Sequence, residues 1–176
     1  MNIIIEQSKK QPLAIDVLKA HLRIDHNHED GYLRNIIDMA VEILETNIEK
    51  PILKKKYKYI HYNDEFTSSR KIALPVSEVR NVISVRKLLP DKKPDDFSYN
   101  IENYNGKTII ITTGIRRPIE IVYTAGITGN PAKIPKDLQF AILQISKNIY
   151  ECAEEDVLES KYIKHIINSH RTATLD

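Results

Sequence analysis

The chain has 176 residues, of which 41% are hydrophobic and 28% are charged. This composition is typical of a globular protein of about one domain and argues against a disordered chain. No stretch approaches the roughly 18 apolar residues of a transmembrane helix, so we expect no membrane partner. The single cysteine, Cys152, excludes an internal disulfide framework and any multi-cysteine zinc site.

The net charge of +2 is unevenly distributed along the chain. Residues 1–50 carry 6 basic and 9 acidic side chains, residues 51–130 carry 14 and 8, and residues 131–176 carry 6 and 7. The middle segment is therefore the basic one, and any contact with phosphate groups is expected there.

Two helices are predicted near the N-terminus. The first follows Pro12 and covers residues 13–22. Asn27 is the expected N-cap of the second helix, and Pro51 is expected to end it. The second helix carries an apolar stripe with the 3.6-residue period of a buried helix face. The stripe consists of residues 33, 36, 37, 40, 41, 44 and 48.

The middle of the chain is predicted to form short β-strands, because β-branched and aromatic residues occur in runs between turn residues. The six runs are 57–62, 71–74, 79–88, 97–101, 108–112 and 119–124. Asn105-Gly106 predicts a hairpin turn, and Pro90-Asp91 and Pro94-Asp95 mark another turn. No helical crossover separates these runs, so we expect antiparallel pairing.

A run of lysines and tyrosines opens the basic segment and has two interpretations. It could bind phosphates through its lysines and stack bases on its tyrosines. It could also be the solvent face of an edge strand, where lysine discourages aggregation, and we favour this interpretation because no recognition helix accompanies it. The run is Lys54, Lys55, Lys56, Tyr57, Lys58 and Tyr59.

A long helix is predicted from Pro135 or Lys136 onward, followed by a short last helix and a polar tail. It has two apolar stripes, so its second side packs either inside the chain or on a neighbouring subunit. The first stripe is Leu138, Ala141, Ile142, Ile145, Ile149 and Cys152, and the second includes Phe140, Leu143 and Tyr150. The first stripe makes Cys152 a buried, inert thiol.

The predicted fold class is α+β. A helical scaffold of two N-terminal helices, one long C-terminal helix and one short helix carries an inserted antiparallel β subdomain. We expect a single domain over residues 1–176. The N-terminal helices fall in 12–50, the β-rich insert in 51–130, and the C-terminal helices and tail in 131–176.

One loop groups residue types that ligate metals: His21, Asp25, His26, His28, Glu29 and Asp30. The spacing of these residues matches no known metal-ligand template, and several of them are residue types that also favour the start of a helix. A small metal-dependent hydrolase that uses this loop is a further alternative function. The sequence has no Gly-x-Ser-x-Gly elbow and no phosphate-binding Gly-x-x-x-x-Gly-Lys loop. We therefore predict no catalytic residue, no cofactor and no bound metal.

Four stretches resemble one family, the head–tail connector proteins of tailed phages. These are also called head completion or adaptor proteins and are often described as possible DNA-packaging proteins. The first stretch is Val17-Leu18-Lys19-Ala20-His21-Leu22-Arg23-Ile24-Asp25 followed by Glu29-Asp30 and Leu33. The others are Leu74-Pro75-Val76 with Val82-Ile83-Ser84-Val85, then Val122-Tyr123-Thr124-Ala125-Gly126, then Ile134-Pro135-Lys136-Asp137-Leu138 with Tyr150-Glu151. Together they span residues 13–152 in the family's order.

The resemblance implies a structural virion protein and not an enzyme. Such proteins form a homo-oligomeric ring between the portal and the tail of a phage or prophage, which completes the DNA-filled head and extends the DNA channel. The implied partners are further copies of the chain, the portal protein, a tail-side or stopper protein and, non-specifically, passing double-stranded DNA. The implied location is the head–tail junction, after assembly in the host bacterial cytoplasm.

The resemblance and the two-sided helix together suggest candidate surfaces. Phe140, Leu143 and Tyr150 are candidate subunit-interface residues, and residues 54–59 are candidates for a surface that faces a partner or DNA. The alternative function is a nucleic-acid-binding accessory module that uses residues 54–59.

Overall fold

The computed structural model describes residues 2–7, 10–62, 69–88, 98–104, 107–113, 118–154 and 156–171. The chain divides into two compact units. The strand unit consists of residues 1–7 and 54–127, and the helical unit consists of residues 8–53 and 128–176. The predicted α+β class with antiparallel strands is confirmed. The domain boundaries proposed from the sequence stay a prediction.

Among the described residues, four α-helices form the helical unit. They are α1 (Ile15–Leu22), α2 (Asp30–Ile48), α3 (Lys136–Tyr150) and α4 (Lys161–His170), with short 3₁₀ turns at Pro131–Lys133 and Val157–Glu159. Helix α3 packs against each of the other three helices and so lies at the centre of this unit's core.

Helix α2 confirms the apolar stripe predicted for it, because all seven stripe residues are buried. Its remaining positions are mostly exposed, as expected for a helix with one core-facing side. Within the part of the chain that the structure describes, the helices are too short or too polar to cross a membrane.

The start of α2 differs from the prediction. Glu29 occupies the N-cap position, and Asn27 instead accepts a hydrogen bond from the Lys19 ammonium. Lys19 Nζ also lies 3.1 Å from Asp30 Oδ1, and Lys19 is only 8% exposed. A buried ammonium is costly unless it is paired, so Lys19 draws both acceptors into a contact that joins α1 to the start of α2.

The expected burial of Cys152 is wrong. Helix α3 ends at Tyr150, and Cys152 follows in a left-handed conformation with φ of 48° and an exposed thiol. Cys152 lies two residues past the end of α3, where the helical period no longer applies, and helix ends are poorly determined by sequence period.

In the described part of the strand unit, seven strands form two antiparallel sheets. The bounds are β1 Asn2–Gln7, β2 Lys55–His61, β3 Ser69–Ala73, β4 Val79–Lys87, β5 Tyr99–Tyr104, β6 Lys107–Thr113 and β7 Ile119–Ala125. One sheet has the order β1-β2-β7-β4 and the other β3-β6-β5. All six predicted strands are present, so the predicted β-rich middle of the chain is confirmed.

The predicted turns fall where the structure gives no description. Asn105-Gly106, Pro90-Asp91 and Pro94-Asp95 all lie outside the described residues. The strands that flank the first of them do pair, with Tyr104 opposite Lys107.

Strand β1 was not predicted, and it changes the role of β2. Because β1 pairs with one side of β2 and β7 with the other, β2 is an interior strand. The interpretation of the lysine–tyrosine run as an edge strand is therefore wrong. Alternation within a strand shows which residues share a face, but long-range pairing decides where the strand lies in a sheet.

The two sheets share one hydrophobic cluster. Tyr57 of β2 stacks on Tyr123 of β7, with ring centroids 5.4 Å apart. In β7 the alternate residues Ile119, Ile121 and Tyr123 are all fully buried. The other cluster members are Ile72, Leu74, Val85, Ile110 and Ala125.

Candidate functional site

The second apolar stripe of α3 lies outside the core of the helical unit. Phe140 is 43% exposed, and Leu143 and Tyr150 are half-buried. In contrast, Leu138 and Ile145 of the first stripe are buried. The second stripe thus leaves apolar surface accessible on α3, as a subunit interface requires, and its use as an interface stays a prediction.

Tyr150 also makes contacts inside its own unit. Its hydroxyl donates a hydrogen bond of 3.0 Å to Glu29 Oε2, at the N-cap position of α2. This hydrogen bond raises the pKa of the Tyr150 hydroxyl above its ordinary value. The Tyr150 ring also lies against Tyr32, with ring centroids 6.3 Å apart. The end of α3 is therefore joined to the start of α2.

Helix α2 adds two exposed apolar residues that were not considered from the sequence. Tyr32 is 52% exposed and Met39 is 51% exposed. They are seven residues apart and therefore lie on one side of α2, beside its buried stripe. Because Tyr32 contacts Tyr150, this side of α2 adjoins the second stripe of α3. We call Tyr32, Met39, Phe140, Leu143 and Tyr150 together the α2–α3 flank.

The lysine–tyrosine run divides between the two faces of the sheet. Tyr57 is in the core and only 6% exposed, so it is not available to a partner or to DNA. Its inclusion among the candidate partner-facing residues is corrected on this ground. Tyr59 is half-buried, and its hydroxyl lies 3.3 Å from Nδ1 of His61. Lys54 precedes the strand and is exposed.

Two lysines of the run have carboxylate partners across the sheet. Lys58 Nζ lies 3.0 Å from Glu120 Oε2 on β7, and Lys56 Nζ lies 3.8 Å from Glu6 Oε2 on β1. These pairs lower the net positive charge that this face presents, which weakens its attraction for phosphates.

The histidine-containing loop has structural contacts. Asp30 pairs with Lys19, and Glu29 accepts the hydrogen bond from Tyr150. The rings of His26 and His28 lie 5.6 Å apart, and both side chains are exposed. Among the described residues, no three histidine, cysteine or acidic side chains are grouped closely enough to hold a metal.

Comparison with known proteins gives a family match over part of the chain and a shared fold over nearly all of it. Residues 13–85 match the model of the phage gp6-like head–tail connector proteins. This confirms the resemblance found in the sequence, and the matched family is a class of connectors and not a class of enzymes. No curated protein matches the chain.

Three similar solved structures come from gene transfer agent particles. A chain in the neck of an empty particle, computed with C6 symmetry, has a TM-score of 0.80 and 17% identity and covers 99% of this chain and 97% of its own. A chain in the virion of the native particle has a TM-score of 0.79 and 17% identity, and covers 99% of this chain and 97% of its own. A chain in the native neck, computed with C12 symmetry, has a TM-score of 0.71 and 17% identity, and covers 98% of this chain and 97% of its own. The protein thus has the fold of these particle chains over nearly its whole length, and its residues 13–85 match the phage head–tail connector family.

Proposed function

We propose that this chain is a structural connector of a phage or prophage particle, which assembles as a ring between portal and tail. The observation that carries the proposal is a fold shared over 99% of the chain with a chain of a particle neck. In this position the ring completes the DNA-filled head and extends the DNA channel. One side contacts the portal protein and the other a tail-side or stopper protein, after assembly in the host bacterial cytoplasm.

The accessible apolar surface supports assembly into a ring. Two of the similar neck structures were computed with cyclic symmetry, C6 and C12. A cyclic ring needs a head-to-tail interface, in which each subunit presents two different surfaces. The α2–α3 flank supplies one of them, because neighbouring exposed apolar side chains mark a contact surface.

The charge pattern supports only weak contact with DNA. DNA has to slide through a connector, so any contact with it is non-specific and weak. Lys56 and Lys58 already have carboxylate partners, and Tyr57 is buried in the core and cannot stack on a base. These placements argue against an accessory module that grips nucleic acid with residues 54–59.

Light scattering coupled to size exclusion, over a series of protein concentrations, tests the proposal. We expect a species whose mass is a multiple of 20.3 kDa, and a closed ring with a central hole in negative-stain images. A chain that is monomeric at every concentration, and that binds DNA with an affinity falling steeply with salt, would contradict the connector and support the accessory module.

A further inference from the structure

The four-stranded sheet has two outer strands with opposite directions. In the order β1-β2-β7-β4 every neighbouring pair is antiparallel, so β1 and β4 run antiparallel to each other. In a head-to-tail array of copies, β4 of one copy would meet β1 of the next in the antiparallel direction. The sheet could therefore continue from one copy to the next with antiparallel pairing throughout.

The outer strand β1 is poorly protected against such pairing. Ile3, Ile4 and Ile5 are 36%, 49% and 44% exposed. Natural edge strands are usually protected by charged residues, above all lysine, by proline or by β-bulges. Strand β1 contains no lysine or proline, and it has one bulge, between Ile4 and Glu6. An apolar strand of this kind is a template for a further strand.

The outer strand β4 complements β1 in charge and in apolar character. β4 carries Arg80, Arg86 and Lys87 and no acidic residue, whereas the one charged residue of β1 is Glu6. Ile83 is 48% exposed, and the register between β4 and β7 skips it at a bulge.

Antiparallel pairing also brings opposite charges together. It would place the Glu6 end of β1 beside the Arg80 end of β4. The Arg80 guanidinium donates to the carbonyl oxygens of Gly126 and Ile127, and these two bonds use only part of its five N–H donors.

We propose that β1 of one copy adds to β4 of the next copy and joins the sheets of neighbouring subunits. The proposal rests on the proposed function, because it names a second copy of the chain as the occupant and makes the sheet edges part of the ring interface. Backbone hydrogen bonds would hold the two strands together, and the isoleucines of β1 would be covered.

Disulfide cross-linking tests this pairing directly. Ile3→Cys or Ile4→Cys is combined with Ile83→Cys in a Cys152→Ser background, so that the two thiols are the only ones present. Within one copy, β2 and β7 separate these positions by three strand spacings, about 14 Å. A disulfide requires Cα atoms within about 7 Å, so it can form only between copies.

We expect mild oxidation to give a ladder of covalent multimers that collapses on reduction. The matched control is Ile3→Cys with Ile101→Cys, because Ile101 is similarly exposed, at 46%, but lies on the other sheet. It should give no ladder. Circular dichroism spectra identical to that of the parent chain establish that the variants are folded.

The outcomes separate this proposal from the proposed function. Rings in negative stain without a ladder from either pair would overturn the strand pairing and leave the connector function standing. A chain that forms neither rings nor a ladder up to high concentration would overturn both. A ladder from the control pair as efficient as that from the test pairs would also overturn the pairing, because it would reflect random collision.

Discussion

At the scale of single residues, Lys19 determines the role of the loop between α1 and α2. The sequence presents this loop as a group of potential metal ligands with a helix cap. The structure places the Lys19 ammonium between Asn27 and Asp30 and buries it. A cation supplied by the chain itself thus pairs with Asp30, one of the carboxylates that a metal would have used.

Replacing Lys19 by methionine should destabilise the helical unit. Lys19→Met keeps the apolar stem but leaves Asn27 and Asp30 without their donor, which should lower the free energy of unfolding by about 1–3 kcal/mol. Urea unfolding followed by circular dichroism measures this change. Lys161→Met, at an exposed position of α4, should change it by less than about 0.5 kcal/mol. Equal losses in the two variants would contradict a structural role for Lys19.

Tyr150 should make stability depend on pH in the alkaline range. Its hydrogen bond to Glu29 raises the folded-state pKa above the unfolded value. This contribution is therefore full below about pH 10 and is lost as the pH rises through the folded pKa. The melting temperature of the parent chain should exceed that of Tyr150→Phe at neutral pH, and the difference should disappear at high pH. Tyr162→Phe, where the side chain is 77% exposed, should show no such difference.

At the scale of the elements, α3 has two sides with different roles. Ile145 is 1% exposed and lies in the core, whereas Leu143 is half-buried on the α2–α3 flank. The same substitution at the two positions therefore tests core and surface separately, although they are only two residues apart.

An aspartate at Ile145 should disrupt folding, whereas an aspartate at Leu143 should disrupt only assembly. Ile145→Asp should unfold the helical unit, because a buried unpaired charge costs several kcal/mol or more. Leu143→Asp should keep the circular dichroism spectrum and reduce the assembled mass in light scattering. Asn168→Asp, at an exposed position of α4, is the control and should change neither. Unfolding of both α3 variants would show that Leu143 belongs to the core.

Helix α4 is held on α3 in part by a hydrogen bond between His170 and Asp137. His170 Nε2 lies 2.6 Å from Asp137 Oδ2, and the Leu138 amide also donates to this carboxylate. Partial burial raises the pKa of Asp137, but the hydrogen bonds from His170 and Leu138 outweigh it, so the pKa is lowered.

This pair should contribute to stability only above acidic pH. Because the folded pKa of Asp137 lies below the unfolded value, the contribution is present above about pH 4 and is lost as the pH falls through the folded pKa. Asp137→Asn should therefore lower the free energy of unfolding by about 0.5 kcal/mol at neutral pH and should not change it in strong acid. The expected loss is small because solvent screens the pair. Urea unfolding at both pH values measures this. Asp38→Asn, on the exposed side of α2, should cost nothing at either pH.

At the scale of the whole molecule, assembly should depend little on salt. The net charge is only +2, and apart from the Glu6 and Arg80 ends of the paired strands the proposed contacts are apolar side chains and backbone hydrogen bonds. The assembled mass should therefore stay constant from about 50 mM to about 500 mM salt, as measured by light scattering. Assembly bridged by nucleic acid would instead dissociate over this range, because phosphate contacts weaken steeply with salt.

The elements were largely predictable because their signals are local. The stripe of α2 and the β-rich runs are visible within short windows, and both are confirmed. The candidate surfaces were less predictable. Phe140 and Leu143 lie on an accessible side of α3, whereas Tyr57 lies in the core, because alternation assigns a face without showing which face is covered.

By itself the sequence determined the α+β class, the helices, the strands other than β1 and the resemblance to the connector family. The tertiary structure decided that β2 is an interior strand and that β1 and β4 are the outer strands of the described sheet. It also decided that Lys19 binds Asn27 and Asp30 at the start of α2. These features depend on residues far apart in the chain. Contacts between such residues produce no regular spacing in the sequence. Each residue has the same local sequence pattern whichever distant residue it pairs with, so the pattern does not identify the partner.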